Sequence, residues 1–262
     1  METLEKLIDI HFEGQKDIIL SKEIVEKRYK IIYSEILNDE YWNLAFIKDN
    51  CDNLKEIWQK IKVKMNDLNR IPILYLLSNA DNEKQLIDFN LENIYTDVWL
   101  VLDNLNEFKN YESTINVNFE KVTEDEKSEY IQAIMDGFSS TDPKDPYGVL
   151  PEEYRKTYEI EFEHRGKKYK TIEYCGKSDG KMISTANAWY KDDCAIVYTV
   201  STNKEYQKKG VCKSMMSYIV RDLKNIGIKT ICVQTEQGFY TEQVYKKIGF
   251  REVMLGKAYA EK

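Results

Sequence analysis

The sequence predicts an α/β (α+β) fold, a mixed central β-sheet flanked by helices. Three observations predict it. Hydrophobic residues switch along the chain between helical spacing and strand alternation. The run from Ala195 to Thr202 is nearly continuous in apolar and β-branched residues, the pattern of a strand buried on both faces. That run leads into a segment whose Met216, Ile219, Val220, Leu223 and Ile226 fall on one helical face, and strand followed by helix is the unit of such folds.

In order, the first half reads as helix up to about Ile36, a strand over 42–47, a helix over 54–65, a strand over 71–77, a helix near 83–89 and a strand over 95–102. The polar stretch from Asn104 to Tyr111 reads as a connection, dividing the chain into domains of 1–111 and 112–262. Thr123, Glu124, Asp125 and Glu126 then form a capping box, with Glu126 able to return to the backbone of Thr123. Tyr130, Ile131, Ile134, Met135 and Phe138 supply the apolar face of the helix that follows. Residues 141–151 hold three of the four prolines and read as a loop, and a more polar helix is expected over 152–163. Strands over 169–174 and 182–190 flank a hairpin turn at Asp179 and Gly180. Gly227 caps the helix carrying Met216 to Ile226, 230–234 is a further buried strand, and a short helix with Val244, Tyr245 and Ile248 stops at Gly249. Phe250 to Met254 begins the last strand. The last five elements of the first half repeat the β, α, β, α, β order that ends the second.

Composition narrows the function. Of 262 residues, 42% are hydrophobic and 32% charged, enough apolar material for two cores. A net charge of −7 argues against the basic face that nucleic-acid binding needs, so Lys167, Lys168 and Lys170 read as solvated surface. No apolar run reaches membrane-helix length and no leader pattern opens the chain, which reads as cytoplasmic with no membrane partner. Five scattered cysteines, Cys51, Cys175, Cys194, Cys212 and Cys232, never take metal-ligand spacing and read as reduced, mostly buried thiols. With only His11 and His164, a histidine triad or zinc site has little to build on, and no metal is expected.

The segment with chemical content is Gln207, Lys208, Lys209, Gly210, Val211 and Cys212. Glycine lets backbone turn closely around a ligand, and it stands where a strand gives way to a helix. The first amides of that helix lack intrahelical acceptors and carry the positive end of its dipole, a ready anion site. Lys208 and Lys209 add charge there. An ordinary turn has the same local pattern, and neither GxGxxG nor GxxxxGK[ST] is present.

The longer stretch Val200-Ser201-Thr202-Asn203-Lys204-Glu205-Tyr206-Gln207-Lys208-Lys209-Gly210-Val211-Cys212 resembles the central motif of the GNAT acyl-CoA N-acyltransferases, V-x-T-x-P-E-Y-R/Q-x-x-G-x-G/A. A second landmark, Y-x-K-x-G-F, is matched by Tyr245-Lys246-Lys247-Ile248-Gly249-Phe250. The resemblance runs from about Ile115 to Lys262. Cys212 departs from the usual Gly or Ala, and Gly238 stands where an asparagine often helps hold the donor. The resemblance implies acetyl-CoA as acyl donor, with the strand over 195–202 diverging from that over 230–234 so that the pantetheine arm fills the gap. Val200 and Thr202 would then bind the arm and thioester carbonyl through their backbone, and Gln207, Lys208, Lys209, Gly210, Val211 and Cys212 the pyrophosphate. Tyr245 would be the general acid for the leaving thiolate, although it also lies in the apolar stripe of its helix.

The acceptor implied is a primary amine of a small molecule or peptide, attacking directly in a ternary complex. No general base identifies itself. Glu173 is a candidate, a salt-bridged side chain being the other reading, and Tyr147, Trp189 and Tyr190 could line the acceptor pocket. The repeated element order makes the first half a degenerate GNAT-like domain: Lys48 to Asn53 occupies its loop position with two aspartates and no glycine, which opposes pyrophosphate binding. A non-catalytic acyl-CoA-binding module is the alternative function.

Overall fold

The computed structural model describes residues 2–47, 51–77, 80–86, 89–139 and 149–261. The chain forms two compact units drawn from non-contiguous segments. The first comprises Met1–Ile19, Val101–Val233 and Val244–Arg251, the second Leu20–Leu100, Gln234–Gln243 and Glu252–Lys262. No helix among the described residues is long and apolar enough to cross a membrane. All five cysteines are free, and four are buried.

The first unit begins with α1 (Glu2–Ile18) and continues through β6 (Asn118–Lys121), α4 (Lys127–Phe138), α5 (Glu152–His164), β7 (Lys170–Ser178), β8 (Lys181–Lys191), β9 (Cys194–Thr202), α6 (Val211–Asn225), β10 (Thr230–Glu236) and α7 (Tyr240–Lys247). Its strands lie in the order β10-β9-β8-β7-β6, with β9 and β10 parallel and the others antiparallel. The mixed sheet flanked by helices is the architecture expected. Helix α1 packs on β8 and β9, where Gly14 lets the Trp189 ring approach: a Cβ at 14 would stand 3.2 Å from it.

Local signals are realised in their expected places. The Thr123 amide donates to Glu126 Oε2 at 2.8 Å, closing the capping box that opens α4. Asp179 and Gly180 have φ of 50° and 76°, the pair of positive values a type I′ hairpin turn requires. Helix α6 ends in a Schellman motif, with Ile228 N–H donating to Leu223 C=O and Gly227 N–H to Lys224 C=O, each at 3.1 Å. One residue of the expected stripe departs: Ile226 is 45% exposed, because it is the C-cap and lies past the last packed turn. Strand β6 was absent from the expected order, being short and only half-buried. The loop expected over 141–151, with Tyr147, lies outside the described residues up to 148.

The second unit contains β1 (Lys22–Val25), β2 (Lys30–Tyr33), β3 (Leu44–Ile47), α2 (Leu54–Asp67), β4 (Leu74–Leu77), α3 (Ala80–Gln85), β5 (Leu91–Leu102) and β11 (Arg251–Glu261), ordered β1-β2-β3-β4-β11-β5. The helix expected to Ile36 ends at Ile18, and 22–33 form an antiparallel strand pair instead. The β-branched and aromatic residues of 30–33 explain the difference: Ile31 and Ile32 are fully buried against β3, and that packing overrides helical spacing. Strands β3 and β4 are parallel around α2, whose Leu54, Trp58, Ile61 and Met65 cover Ile31, Ala45, Ile47, Leu74 and Leu76. The terminal strand β11 pairs antiparallel with β4 and brings Tyr259 against this core.

Candidate active site

The site starts at an irregularity in β9. Against β8 its register passes from Thr185↔Ser201 to Asn187↔Tyr198, two steps on β8 and three on β9, so β9 carries one extra residue. Thr199 takes up the bulge with φ of 49°, a value uncommon for a β-branched side chain. Two side chains of β8 hold it: Thr185 Oγ1 donates to Thr199 C=O at 3.1 Å, and Thr199 Oγ1 donates to Asn187 Oδ1 at 3.0 Å. On its other edge β9 pairs with β10 from Cys194↔Thr230 to Val197↔Val233 and no farther. Val200 and Thr202 therefore lie on the stretch past the bulge, half-buried, without a β10 partner in the register. Helix α4 comes close behind this stretch at Gly137, where a Cβ would overlap Ser201 Oγ.

From Thr202 the chain makes a short 3-10 turn over Lys204–Tyr206, capped by Asn203, and enters the loop. Gln207 turns back, its Nε2 donating to Thr202 C=O at 3.1 Å. Lys208 and Gly210 both have positive φ, 62° and 81°. The segment before β6 supports the loop: Thr114 N–H donates to Lys209 C=O at 2.9 Å, and a Cβ at Gly210 would stand 3.2 Å from Glu112 O. Gly210 is the N-cap of α6, and the first helical bond is Ser214 N–H to Gly210 C=O at 3.0 Å. The amides of Lys208, Lys209, Gly210, Val211 and Cys212 have no acceptor among the described residues, so a run of unused backbone donors stands at the positive end of a helix. Cys212 sits in the first turn, and burial pushes its thiol up to about 11, so it stands there neutral.

Tyr245 lies on α7 and is 5% exposed. Phe250 N–H donates to Tyr245 C=O and Gly249 N–H to Lys246 C=O, at 3.1 and 3.2 Å, with φ of 105° at Gly249. The Y-x-K-x-G-F landmark is thus a Schellman motif, and Tyr245 packs on Phe250 as its hydrophobic contact, ring centroids 5.8 Å apart. Gly238, before α7, has φ of 86° and gives its amide to Glu242 Oε2 at 2.8 Å.

Residues 131–250 match the family model of the acetyltransferase (GNAT) family. This stretch is a GNAT-family domain. Similar solved structures include a GCN5-related N-acetyltransferase from Kribbella flavida, with a TM-score of 0.69 at 13% identity over 98% of this chain and 95% of that one. A functionally unknown conserved protein from Staphylococcus epidermidis gives 0.66 at 13% identity over 95% and 97% of the two chains. A tandem GNAT protein from the clavulanic acid biosynthesis pathway gives 0.60 at 10% identity over 88% and 77%. At these identities the likeness is one of fold. The comparison with curated proteins gave no match.

The GNAT domain also contains a buried polar cluster that sequence reasoning missed. Glu161 of α5 is 5% exposed, and its Oε1 accepts from Asn187 Nδ2 and from Trp189 Nε1. Burial pushes this carboxyl up to about 8, with Glu173 adding repulsion. The available signal was its spacing from Thr157, which puts both residues on one helical face, and both are buried. Glu173 is 3% exposed and pairs with Arg165 at 3.5 Å. Burial nonetheless raises its carboxyl, and its Oε1 is without a partner among the described residues. Trp189 is buried against Gly14 and Glu161, and Tyr190 pairs with Lys170 and Ala195 in the sheet.

Two observations fit acetyl-CoA in the GNAT domain. The unused amides of 208–212 suit a pyrophosphate, and Thr202 Oγ1 is buried without a partner among the described residues, past the end of the β9–β10 pairing. Of the loop expected over 48–53, residues 48–50 lie outside the described residues, and the start of α2 beyond it is capped. Its Cys51 amide donates to Asn82 Oδ1 at 3.0 Å, the Leu54 amide to Gln85 Oε1 at 3.2 Å and the Glu56 amide to Asn53 Oδ1 at 3.4 Å. The protein's own side chains occupy these three donors at the start of α2.

Proposed function

We propose that the GNAT domain transfers an acetyl group from acetyl-CoA to a primary amine of a small molecule or peptide, by direct attack in a ternary complex. The observation that carries this reading is the alignment, in one chain segment, of a strand released from its parallel neighbour and a run of unused amides at a helix start. Backbone groups of Val200 and Thr202 hold the pantetheine arm as an added strand. Amides of Lys208 to Cys212 hold the pyrophosphate, helped by the charges of Lys208 and Lys209, while Gln207 braces the loop through the Thr202 carbonyl. The neutral Cys212 thiol leaves this anion site unopposed. Acetyl-CoA, when bound, supplies the acetyl group as a thioester.

Tyr245 Oη holds the proton delivered to the departing sulfur, whose thiol pKa of about 8.5 makes a phenol a suitable donor. The Glu161 Oε1 is held by Asn187 and Trp189, and Glu173 pairs with Arg165, so neither is assigned as the base for the amine, which loses its proton to solvent. The second unit, with its helix-start amides already used, binds no acetyl-CoA. Free thiols fit a reducing cytoplasmic compartment.

The burial of Tyr245 and its structural contact with Phe250 favour a second reading, a non-catalytic acyl-CoA-binding module. Calorimetry with acetyl-CoA tests the site. Wild type should bind, and Lys208→Glu/Lys209→Glu, which reverses charge without touching the glycine, should bind at least tenfold more weakly. Absence of wild-type binding sinks both readings. Release of CoA thiol across a panel of amines then separates enzyme from binder.

A further inference from the structure

The bulge at Thr199 is costly by itself: a β-branched residue at φ of 49° persists only where its surroundings impose it. The means is a chain of hydrogen bonds reaching from β9 through β8 to α5, part-buried at Thr199 and buried from Asn187 inward. Thr199 Oγ1 donates to Asn187 Oδ1 at 3.0 Å, and Asn187 Nδ2 donates to Glu161 Oε1. Trp189 Nε1 also donates to Glu161 Oε1, at 2.5 Å. An indole N–H can only donate, so it fixes that oxygen as an acceptor and sets the polarity of the whole chain: the Asn187 amide turns its NH2 to Glu161 and its oxygen to Thr199. Asn187 and Trp189 are each 2% exposed, so their two bonds to Glu161 are shielded from water, while the Thr199 end is half-buried.

The geometry points to Glu161 as a positioning residue that, through Asn187, holds the Thr199 bulge and so keeps Val200 and Thr202 out of register with β10, open to the acyl donor. The inference rests on the acetyl-CoA reading for its ligand, though not for its structural content. Glu161 touches no reacting atom; it orients the amide that clamps the bulge, much as an outer residue orients a metal ligand.

Glu161→Gln keeps an acceptor oxygen of the same reach. Glu161→Leu removes it and leaves Asn187 and Trp189 with unpaired donors. Adding Thr199→Gly to Glu161→Leu makes positive φ free of strain, so the bulge no longer needs a clamp. Acetyl-CoA affinity by calorimetry should stay within about threefold of wild type for Glu161→Gln, fall about tenfold or more for Glu161→Leu, and recover in the double variant. Amide hydrogen exchange over 198–202 should quicken in Glu161→Leu and slow again in the double variant. Recovery through a glycine at 199 is not expected if Glu161 merely supports the fold. Wild-type-like affinity and exchange in Glu161→Leu, or failure of Thr199→Gly to restore either, overturns the inference. If wild type binds no acetyl-CoA the functional reading fails, and exchange over 198–202 alone decides the relay.

Discussion

Tyr245 and Phe250 meet across the end of α7, rings 5.8 Å apart, while the Phe250 amide donates to the Tyr245 carbonyl at 3.1 Å. The aromatic ring therefore helps to terminate a helix, and the hydroxyl lies outside that ring contact. Tyr245→Phe preserves the ring contact and removes the oxygen. Turnover should fall by about 10²- to 10⁴-fold, with acetyl-CoA affinity and melting temperature near wild type. Tyr245→Ala should also lower stability, by about 3 kcal/mol, through loss of the buried ring. Full turnover in Tyr245→Phe would remove it from the mechanism.

Gly210 faces a double constraint. Its φ of 81° penalises any side chain, and a Cβ would press on the Glu112 carbonyl at 3.2 Å. Gly210→Ala should cost about 1 to 2 kcal/mol in denaturant unfolding and weaken acetyl-CoA binding, because relief comes only by moving the loop. Gly238→Ala is the useful contrast: φ is 86° but no atom lies within 4 Å of the added Cβ. It should lose stability alone and keep affinity.

What could be read in the sequence is local. The capping box at Thr123, the Asp179-Gly180 turn and the two Schellman glycines, Gly227 and Gly249, act within a few residues, and the structure has them in place. The loop from Gln207 to Cys212 was legible for the same reason. Thr199 was not: threonine gives no sign of a positive φ, and its cause lies on β8 and α5. Glu161 was hidden by the charge of α5, where it reads as one more solvated acid. The packing of α1 on Trp189 was hidden too, since an amphipathic helix does not announce which apolar surface it will cover. Residues 22–33 were read as helix because four-residue strands are too short to establish a period of two.

Glu161 also makes stability depend on pH. Its folded carboxyl is raised to about 8 from an ordinary value of 4.5. The folded protein thus keeps a proton that the unfolded chain releases, and stability declines as pH climbs from 4.5, levelling off above about 8. Glu161→Gln cannot ionise. Its melting temperature relative to wild type should rise by a few degrees between pH 5 and pH 9, measured by scanning calorimetry. A constant difference across that range would mean that the wild-type carboxyl is already ionised when folded.

Asp17, near the end of α1, collects three amides on one oxygen: Lys167 at 2.8 Å, Lys168 at 2.7 Å and Tyr169 at 2.9 Å. Burial by itself would raise this carboxyl, but the three donors hold it below its usual range. The same helix sends Asp9 to the Tyr169 hydroxyl at 2.8 Å and His11 to the Tyr198 hydroxyl at 2.8 Å, the histidine kept neutral by burial that pushes it down to about 3. These contacts tie the first nineteen residues to the GNAT domain. Asp17→Ala should therefore cost about 1 to 2 kcal/mol, a modest figure because two of the three amides belong to exposed residues. The depressed carboxyl contributes above about pH 4 and loses its effect as pH falls below that, so the gap between variant and wild type should close in acid. The larger consequence concerns the full chain without residues 1–19, which would leave Trp189 and the β9 face uncovered. Its GNAT domain should lose its cooperative unfolding transition, and adding back a peptide of residues 1–19 should recover one. A cooperative transition of that domain without residues 1–19 would show that α1 is dispensable to the fold it covers.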